Sequence, residues 1–157
     1  MPRHDTAKVG AARGFTLVEL VSVIVLGAIM ASLAAPYFAA FIASQRVSNA
    51  ATDLYTALTM ARSEATKRGT NVTLAPGTGG WINGWTIADP AVGGRDVLSH
   101  GPLIGLAMTG PDTVVYKLSG RVQGAAPSFT LSMSAGGTTA KRCVLTDLSG
   151  RPYVKTC

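Results

Sequence analysis

Residues 15–45, FTLVELVSVIVLGAIMASLAAPYFAAFIASQ, form a run of 31 with a single charged side chain, Glu19. Roughly 20 apolar residues at about 1.5 Å each cross a bilayer core of about 30 Å, so the run is of membrane-spanning length. The preceding MPRHDTAKVGAARG carries Arg3, Lys8 and Arg13 against Asp5. By the positive-inside rule residues 1–14 stay cytoplasmic and the chain beyond the apolar run is exported. A cleavable secretory signal would have an apolar stretch of about 7–15 residues ending in a small-residue site. Here the run is about twice that length, and the small residues come before it. A plain signal anchor accounts for the hydropathy but not for Glu19, because an ionisable group in an apolar run calls for a partner. No basic side chain lies within a few helical turns downstream.

The rest of the chain obeys a different rule. Residues 15–68 hold one Gly and one Pro, whereas residues 69–137 hold 14 Gly and 5 Pro, so the first stretch can be a long helix and the second cannot. With 157 residues, 47% hydrophobic and 14% charged, the chain has enough apolar material for one folded domain and is not disordered. Pro36 falls inside the apolar run, where it removes one helical hydrogen bond; it can kink the helix, let it melt locally, or be tolerated as prolines in membrane helices are.

The octet Arg13-Gly14-Phe15-Thr16-Leu17-Val18-Glu19-Leu20 resembles the prepilin signature of type IV pilins and of the pseudopilins of type II secretion. That resemblance implies cleavage between Gly14 and Phe15 by a prepilin peptidase on the cytoplasmic face, and N-methylation of Phe15. It also supplies the partner for Glu19: the terminal amine of a neighbouring subunit, met as helices slide together during assembly. A lone buried charge is costly and a pair much less so, which would fix the register between subunits.

Beyond the run, Val47, Ala50, Leu54, Leu58, Ala61 and Ala65 recur at three- and four-residue steps, Glu64 and Arg68 are spaced i,i+4, and Gly69 is a stop. The amphipathic helix over 46–68 thus continues the apolar one. Short β-rich pieces come next, at 71–74, 85–88, 96–99, 114–118, 128–134, 142–146 and 153–156. Alternation is clearest at 128–134, which puts Phe129, Leu131 and Met133 on one side. The expected architecture is α+β: one long N-terminal helix, transmembrane then amphipathic, packed on an antiparallel sheet. Its parts are a leader at 1–14, a membrane and filament-core helix at 15–45, and a periplasmic pilin-like domain at 46–157, β-rich over 70–157.

Within that domain the resemblance narrows to the GspH/FimT group, which includes FimT and FimU, of minor pilins and minor pseudopilins. It rests on Asp53-Leu54, Ala61-Arg62-Ser63-Glu64-Ala65 with Arg68, Val72-Thr73-Leu74, Trp81-x-x-Gly84-Trp85 with Asp89, Gly120-Arg121-Val122 and Gly150-Arg151-Pro152. The resemblance implies a minor pilin of a type IV pilus, placed at or near the filament tip to prime assembly. The alternative is a minor pseudopilin of a type II secretion system. Implied partners are other minor pilins, the major pilin, the peptidase and an inner-membrane assembly platform. Trp81 and Trp85 are read as cover for the sheet edge and core, Asp89 as a turn cap before Pro90, and His100 as a loop residue.

Cys143 and Cys157 bracket a C-terminal hairpin, and an oxidising compartment makes their disulfide the default. A turn at Asp147-Leu148-Ser149-Gly150 would set Cys143 opposite Val154, so the tail must bend for the bond to form. Removing residues 1–14 lowers the formal charge from +6 to +4, and from Lys117 onward six basic residues face one acid, Asp147. Arg121, Lys141, Arg142, Arg151 and Lys155 are candidates for contact with DNA phosphates or with a partner subunit. The FimT branch is attributed DNA capture through an Arg-x-Arg after Gly; here Tyr153 stands where the second Arg would fall, which favours a partner surface or a solvated face. The chain offers no metal cluster, no cofactor motif and no catalytic constellation. Residues 76–80 lack the Gly-Lys-Ser/Thr of a phosphate loop, so an enzyme is not expected.

Overall fold

The computed structural model describes residues 14–89 and 95–157. Helix α1 runs Leu17–Arg68 with Pro36 inside it. The chain divides there into two compact units, one ending at Ala35 and the other comprising Pro36–Cys157.

In the first unit the hydroxyl side chains are satisfied by the helix that carries them. The Thr16 hydroxyl caps the N-terminus by accepting the Glu19 N–H at 3.2 Å. Ser22 and Ser32 donate to the carbonyls of Val18 and Ile29 at 2.8 and 2.7 Å. Every side chain of this stretch is exposed, from Phe15 at 84% to Val21 at 49%.

In the second unit all six stripe residues, Val47, Ala50, Leu54, Leu58, Ala61 and Ala65, are buried, joined by Ala43, Ala51 and Ala57. The helix stops before Gly69, and among the described residues eight strands come after it: β1 (Val72–Pro76), β2 (Trp85–Ile87), β3 (Leu98–His100), β4 (Ala107–Thr109), β5 (Val114–Tyr116), β6 (Ser128–Ala135), β7 (Thr138–Thr146) and β8 (Pro152–Lys155). One 3-10 turn, Trp81–Asn83, precedes β2. All pairings are antiparallel, as expected, but they build two four-stranded sheets, in the orders β3-β2-β1-β5 and β4-β6-β7-β8. The chain leaves β3 through Gly101 and Pro102, and β4 then pairs with β6 and not with β3.

One core serves both sheets. Trp85, Ile87, Leu74, Val114 and Tyr116 from the first, and Phe129, Leu131 and Val144 from the second, share a cluster with the α1 stripe. Trp81 and Phe129 meet edge to face, centroids 4.9 Å apart at 85°. The Trp81 indole N–H reaches the Pro111 carbonyl at 2.5 Å. Both tryptophans are therefore core, and Phe129 and Leu131 face inward with Met133 packed against the cluster.

Two hairpins correct the expected boundaries. At the β6–β7 turn Gly136 and Gly137 have φ of 57° and 75°, the pair of left-handed residues that a two-residue hairpin turn requires. With that turn β7 starts at Thr138, four residues before the expected 142. In the last hairpin Cys143 pairs with Lys155, one residue beyond the expected Val154. The reason is the loop: Asp147 N–H bonds to the Arg151 carbonyl at 3.0 Å, with Gly150 at φ 84° taking the extra, left-handed position. The Asp147 carboxylate holds this loop by accepting from the Ser149 N–H, the Ser149 hydroxyl and the Arg151 N–H at 2.9, 2.7 and 2.8 Å. Beyond β8, Cys157 is joined to Cys143 with their Cα atoms 5.1 Å apart.

Gly110 lies against the Trp81–Phe129 pair, where an added Cβ would sit 2.4 Å from the Phe129 ring. Gly110→Ala is therefore expected to cost about 1–3 kcal/mol by overpacking, read as a lower urea midpoint with unchanged slope. Replacing Cys143 and Cys157 together by Ser is expected to cost about 3 kcal/mol in the same measurement.

Candidate functional site

The first unit presents a helix with no inside. Leu17, Val18, Leu20, Val21, Val23, Ile24, Val25 and Leu26 cover its whole circumference, all exposed, and α1 contains a stretch long and apolar enough to cross a membrane. A helix that is apolar all round is stable only when something apolar surrounds it. Glu19 stands three residues after the Thr16 cap, in the Thr-x-x-Glu spacing of a capping box and close to the positive end of the helix dipole. Among the described residues no basic side chain makes an ion pair with it. The carboxylate is thus set at the very start of the helix, next to the position that Phe15 occupies.

The second unit places charge differently. Arg68, in the last turn of α1, takes the Glu64 carboxylate at 2.6 Å and also binds Asp89 beyond β2. Asp89 therefore ties the segment after β2 to the end of α1; the turn at Pro90 that it is expected to cap lies outside the described residues. Its hydrogen bond to Arg68 holds the Glu64 carboxyl below its usual value of 4.5, and the same carboxylates push the Arg68 guanidinium up.

His100 is likewise no loop residue. It closes edge strand β3 opposite Trp85, and its ring stacks on the indole at 4.1 Å. Its Nε2 lies 3.5 Å from Asp53 of α1. The sequence motifs contain Asp53 and Trp85, but the histidine that joins them stands far away in the chain, beside a Gly-Pro pair that reads as loop.

The five basic candidates do not form one surface. Lys141 stands two residues from Cys143 on β7 and Lys155 pairs with Cys143, so both share the outward side of the second sheet. Arg142 has the opposite parity, that of buried Val144 and Thr146. Arg121 and Arg151 sit on two turns that touch, since a Cβ on Gly150 would fall 2.1 Å from the Gly120 carbonyl oxygen.

A family model described as type II transport protein GspH matches residues 50–150. The chain belongs to this family. A second model, the prokaryotic N-terminal methylation motif, matches residues 10–35. No curated protein matches the chain. Two crystal structures of the type IV minor pilin FimU of Pseudomonas aeruginosa share the fold. One, in space group P21, has 20% identity and a TM-score of 0.59 over 71% of this chain and 89% of that one. The other, in P65, has 21% identity and a TM-score of 0.56 over 69% and 91%. The chain is thus a pilin-type structural subunit: the methylation motif and the bare apolar helix make it a membrane-anchored member that assembles with other pilins.

The Glu64–Arg68–Asp89 clasp carries a pH dependence of definite sign. A carboxyl whose folded pKa is depressed contributes stability above its unfolded pKa, and that contribution is lost as pH falls through the folded value. Arg68→Gln is therefore expected to be less stable than the parent chain at pH 7, with the difference closing as pH falls below the usual carboxyl value of 4.5. Urea midpoints of both chains across the acid range check this.

Proposed function

We propose that the chain is a minor subunit of a type IV pilus, made as a prepilin and added at or near the filament tip to prime assembly. The observation that carries this reading is the junction at Gly14. Directly after it comes the Thr16-capped start of α1, exposed and apolar on every side as far as Ala35, where the one acid, Glu19, stands in the first turn. Prepilin peptidase would cut between Gly14 and Phe15 on the cytoplasmic face, and Phe15 would be N-methylated. Residues 1–14 would remain inside the cell, the apolar helix in the inner membrane, and the domain from 46 to 157 in the periplasm.

Cleavage turns a neutral peptide nitrogen into a terminal ammonium at Phe15. In the membrane, Glu19 is a carboxylate in search of a counter-charge. When the helix enters a filament the apolar cover changes from lipid to other pilin helices, and the amine of a neighbouring subunit meets Glu19. Removing either charge would leave the other buried alone, at several kcal/mol in low dielectric, so the pair selects one axial register. The other subunits in contact would be further minor pilins and the major pilin, delivered by the assembly platform.

FimU, whose fold this chain shares, is a type IV minor pilin, and that favours the pilus. The description of the matching family favours a second reading, a minor pseudopilin of type II secretion built on the same subunit physics. Deleting the gene separates them: loss of surface pili with normal secretion supports the first, and the reverse outcome the second.

Processing and assembly are separable by mutation. Gly14→Val is expected to keep the full precursor mass in a cell containing the peptidase, whereas Glu19→Gln is expected to be cut normally. Glu19→Gln should then stay in the membrane fraction and be missing from sheared filaments. Incorporation of Glu19→Gln at the parental level would refute the charge-pairing role.

A further inference from the structure

We infer that a polar pocket between the C-terminal part of α1 and the turn after β5 is a socket for an acidic side chain of a neighbouring pilin-type subunit. The inference rests on the reading of the chain as a filament subunit. The pocket has a volume of about 520 Å³, and Thr59, Arg62, Ser63, Thr66, Lys67 and Ser119 line it without a single apolar or acidic side chain. Residues 59, 62, 63 and 66 recur at three- and four-residue steps and therefore share one face of the helix.

Arg62 is the centre of this site. It is half-buried, and its Nε donates to the Gly120 carbonyl at 3.1 Å, which fixes the guanidinium plane. Among the described residues it makes no ion pair, while Arg68, six residues on, takes two carboxylates. The Asp147 carboxylate, on the turn that touches Gly120, is committed to its own hairpin loop. A guanidinium removed from part of its water and given no counter-ion is costly unless an anion arrives. Its terminal N–H groups offer the planar fork that matches a carboxylate in two parallel hydrogen bonds.

The hydroxyls divide into two kinds. Thr59 and Thr66 spend their protons on the carbonyls of Tyr55 and Arg62, at 2.9 and 3.1 Å. The side chains of Ser63 and Ser119 are exposed at the pocket, where their hydroxyls can donate to an incoming oxyanion. Lys67 stands at the rim, 75% exposed and leaning on Glu64 at 3.6 Å. The pocket thus holds a fixed fork, two hydroxyl donors and one mobile cation.

A single carboxylate suits this arrangement better than a string of phosphates. Duplex binding needs cations that track a backbone. Here Lys141 and Lys155 lie on one side of the second sheet, Arg142 on the other, and Arg151 sits beside the Asp147 carboxylate. A subunit that must dock against other pilins offers the simpler source of one well-placed acid.

The test uses the full-length chain, affinity-tagged, extracted from its host membrane in mild detergent, with co-purified pilin-type subunits quantified by mass spectrometry. Arg62→Gln is expected to lower their recovery at least about tenfold, as for loss of one partner of a desolvated charge pair. Arg62→Lys, which keeps the charge but not the fork, should restore only part of it, and Arg142→Gln should leave it unchanged. Because Arg62 also holds the Gly120 turn, the double variant Ser63→Ala, Ser119→Ala provides a second probe that leaves this bond intact; it is expected to lower recovery several-fold. Equal recovery from the parent and these variants, with the disulfide formed and thermal melting unchanged, overturns the socket. So does a loss of duplex-DNA retention in Arg62→Gln with subunit recovery intact, which would make the ligand a phosphodiester. A parent chain that recovers no pilin-type subunit at all instead overturns the filament reading, and the socket with it.

Discussion

The globular unit depends on one face of α1 being small enough for two sheets to reach it. Ala43, Ala50, Ala51, Ala57, Ala61 and Ala65 are buried there, with only Val47, Leu54 and Leu58 projecting further. The large groups come from the other side: Trp85, Tyr116 and Phe129 are fully buried and fill the space that the alanines leave. Neither sheet has a second layer of its own, so the helix is the common floor on which their inner faces are dried. Alanine also costs no side-chain entropy and is the best helix former, so helix propensity and close packing agree along this stretch. Larger residues there would push the sheets apart and open the core between them.

The same economy explains what was legible in the sequence. Helical periodicity exposed the buried stripe because leucine and valine repeat at regular steps, yet it passed over Ala51 and Ala57, whose methyls carry little hydropathy and are buried only because the sheets come so close. The strand at 128–134 is legible from the alternation of Phe129, Leu131 and Met133 with hydroxyl residues, and that at 114–118 from its β-branched and aromatic residues. β4 did not, since Ala107-Met108-Thr109 is too short to alternate and is a strand only because β6 pairs with it. Composition could not divide the strands between two sheets, because that depends on which edges meet in space. The Gly136-Gly137 turn was in principle readable from its residue types and would have extended β7 to its observed start. The one-residue error at Cys143 came from treating Asp147–Gly150 as a simple four-residue turn, when the Asp147 side chain stabilises a longer loop.

Charge was the least legible property. The sequence suggests a basic stretch from Lys117 onward, and the structure distributes its candidate residues over two sides of a sheet and two touching turns. What distinguishes the basic residues is their company. Arg68 is saturated by Glu64 and Asp89 and serves to hold the segment after β2 onto the helix. Arg62 has a carbonyl and a ring of hydroxyls and remains open to an anion. Helical spacing puts these two guanidiniums on different faces and gives Glu64 to Arg68, but only the fold brings Asp89 to it as well.

A fold shared at 20% identity fixes architecture and leaves the role to be argued from chemistry. The chemistry here is concentrated at the start of α1. A neutral residue at position 19 would make the apolar helix a better membrane anchor, by the cost of placing a carboxylate in hydrocarbon. On the proposed reading its presence weakens the anchor in exchange for a charge that would be satisfied by another subunit, once cleavage has created an amine. That trade makes no sense for a protein that stays in the lipid as a monomer. It would make sense for one whose final surroundings are the helices of its neighbours, where the same carboxylate would change from a liability into the element that sets the register.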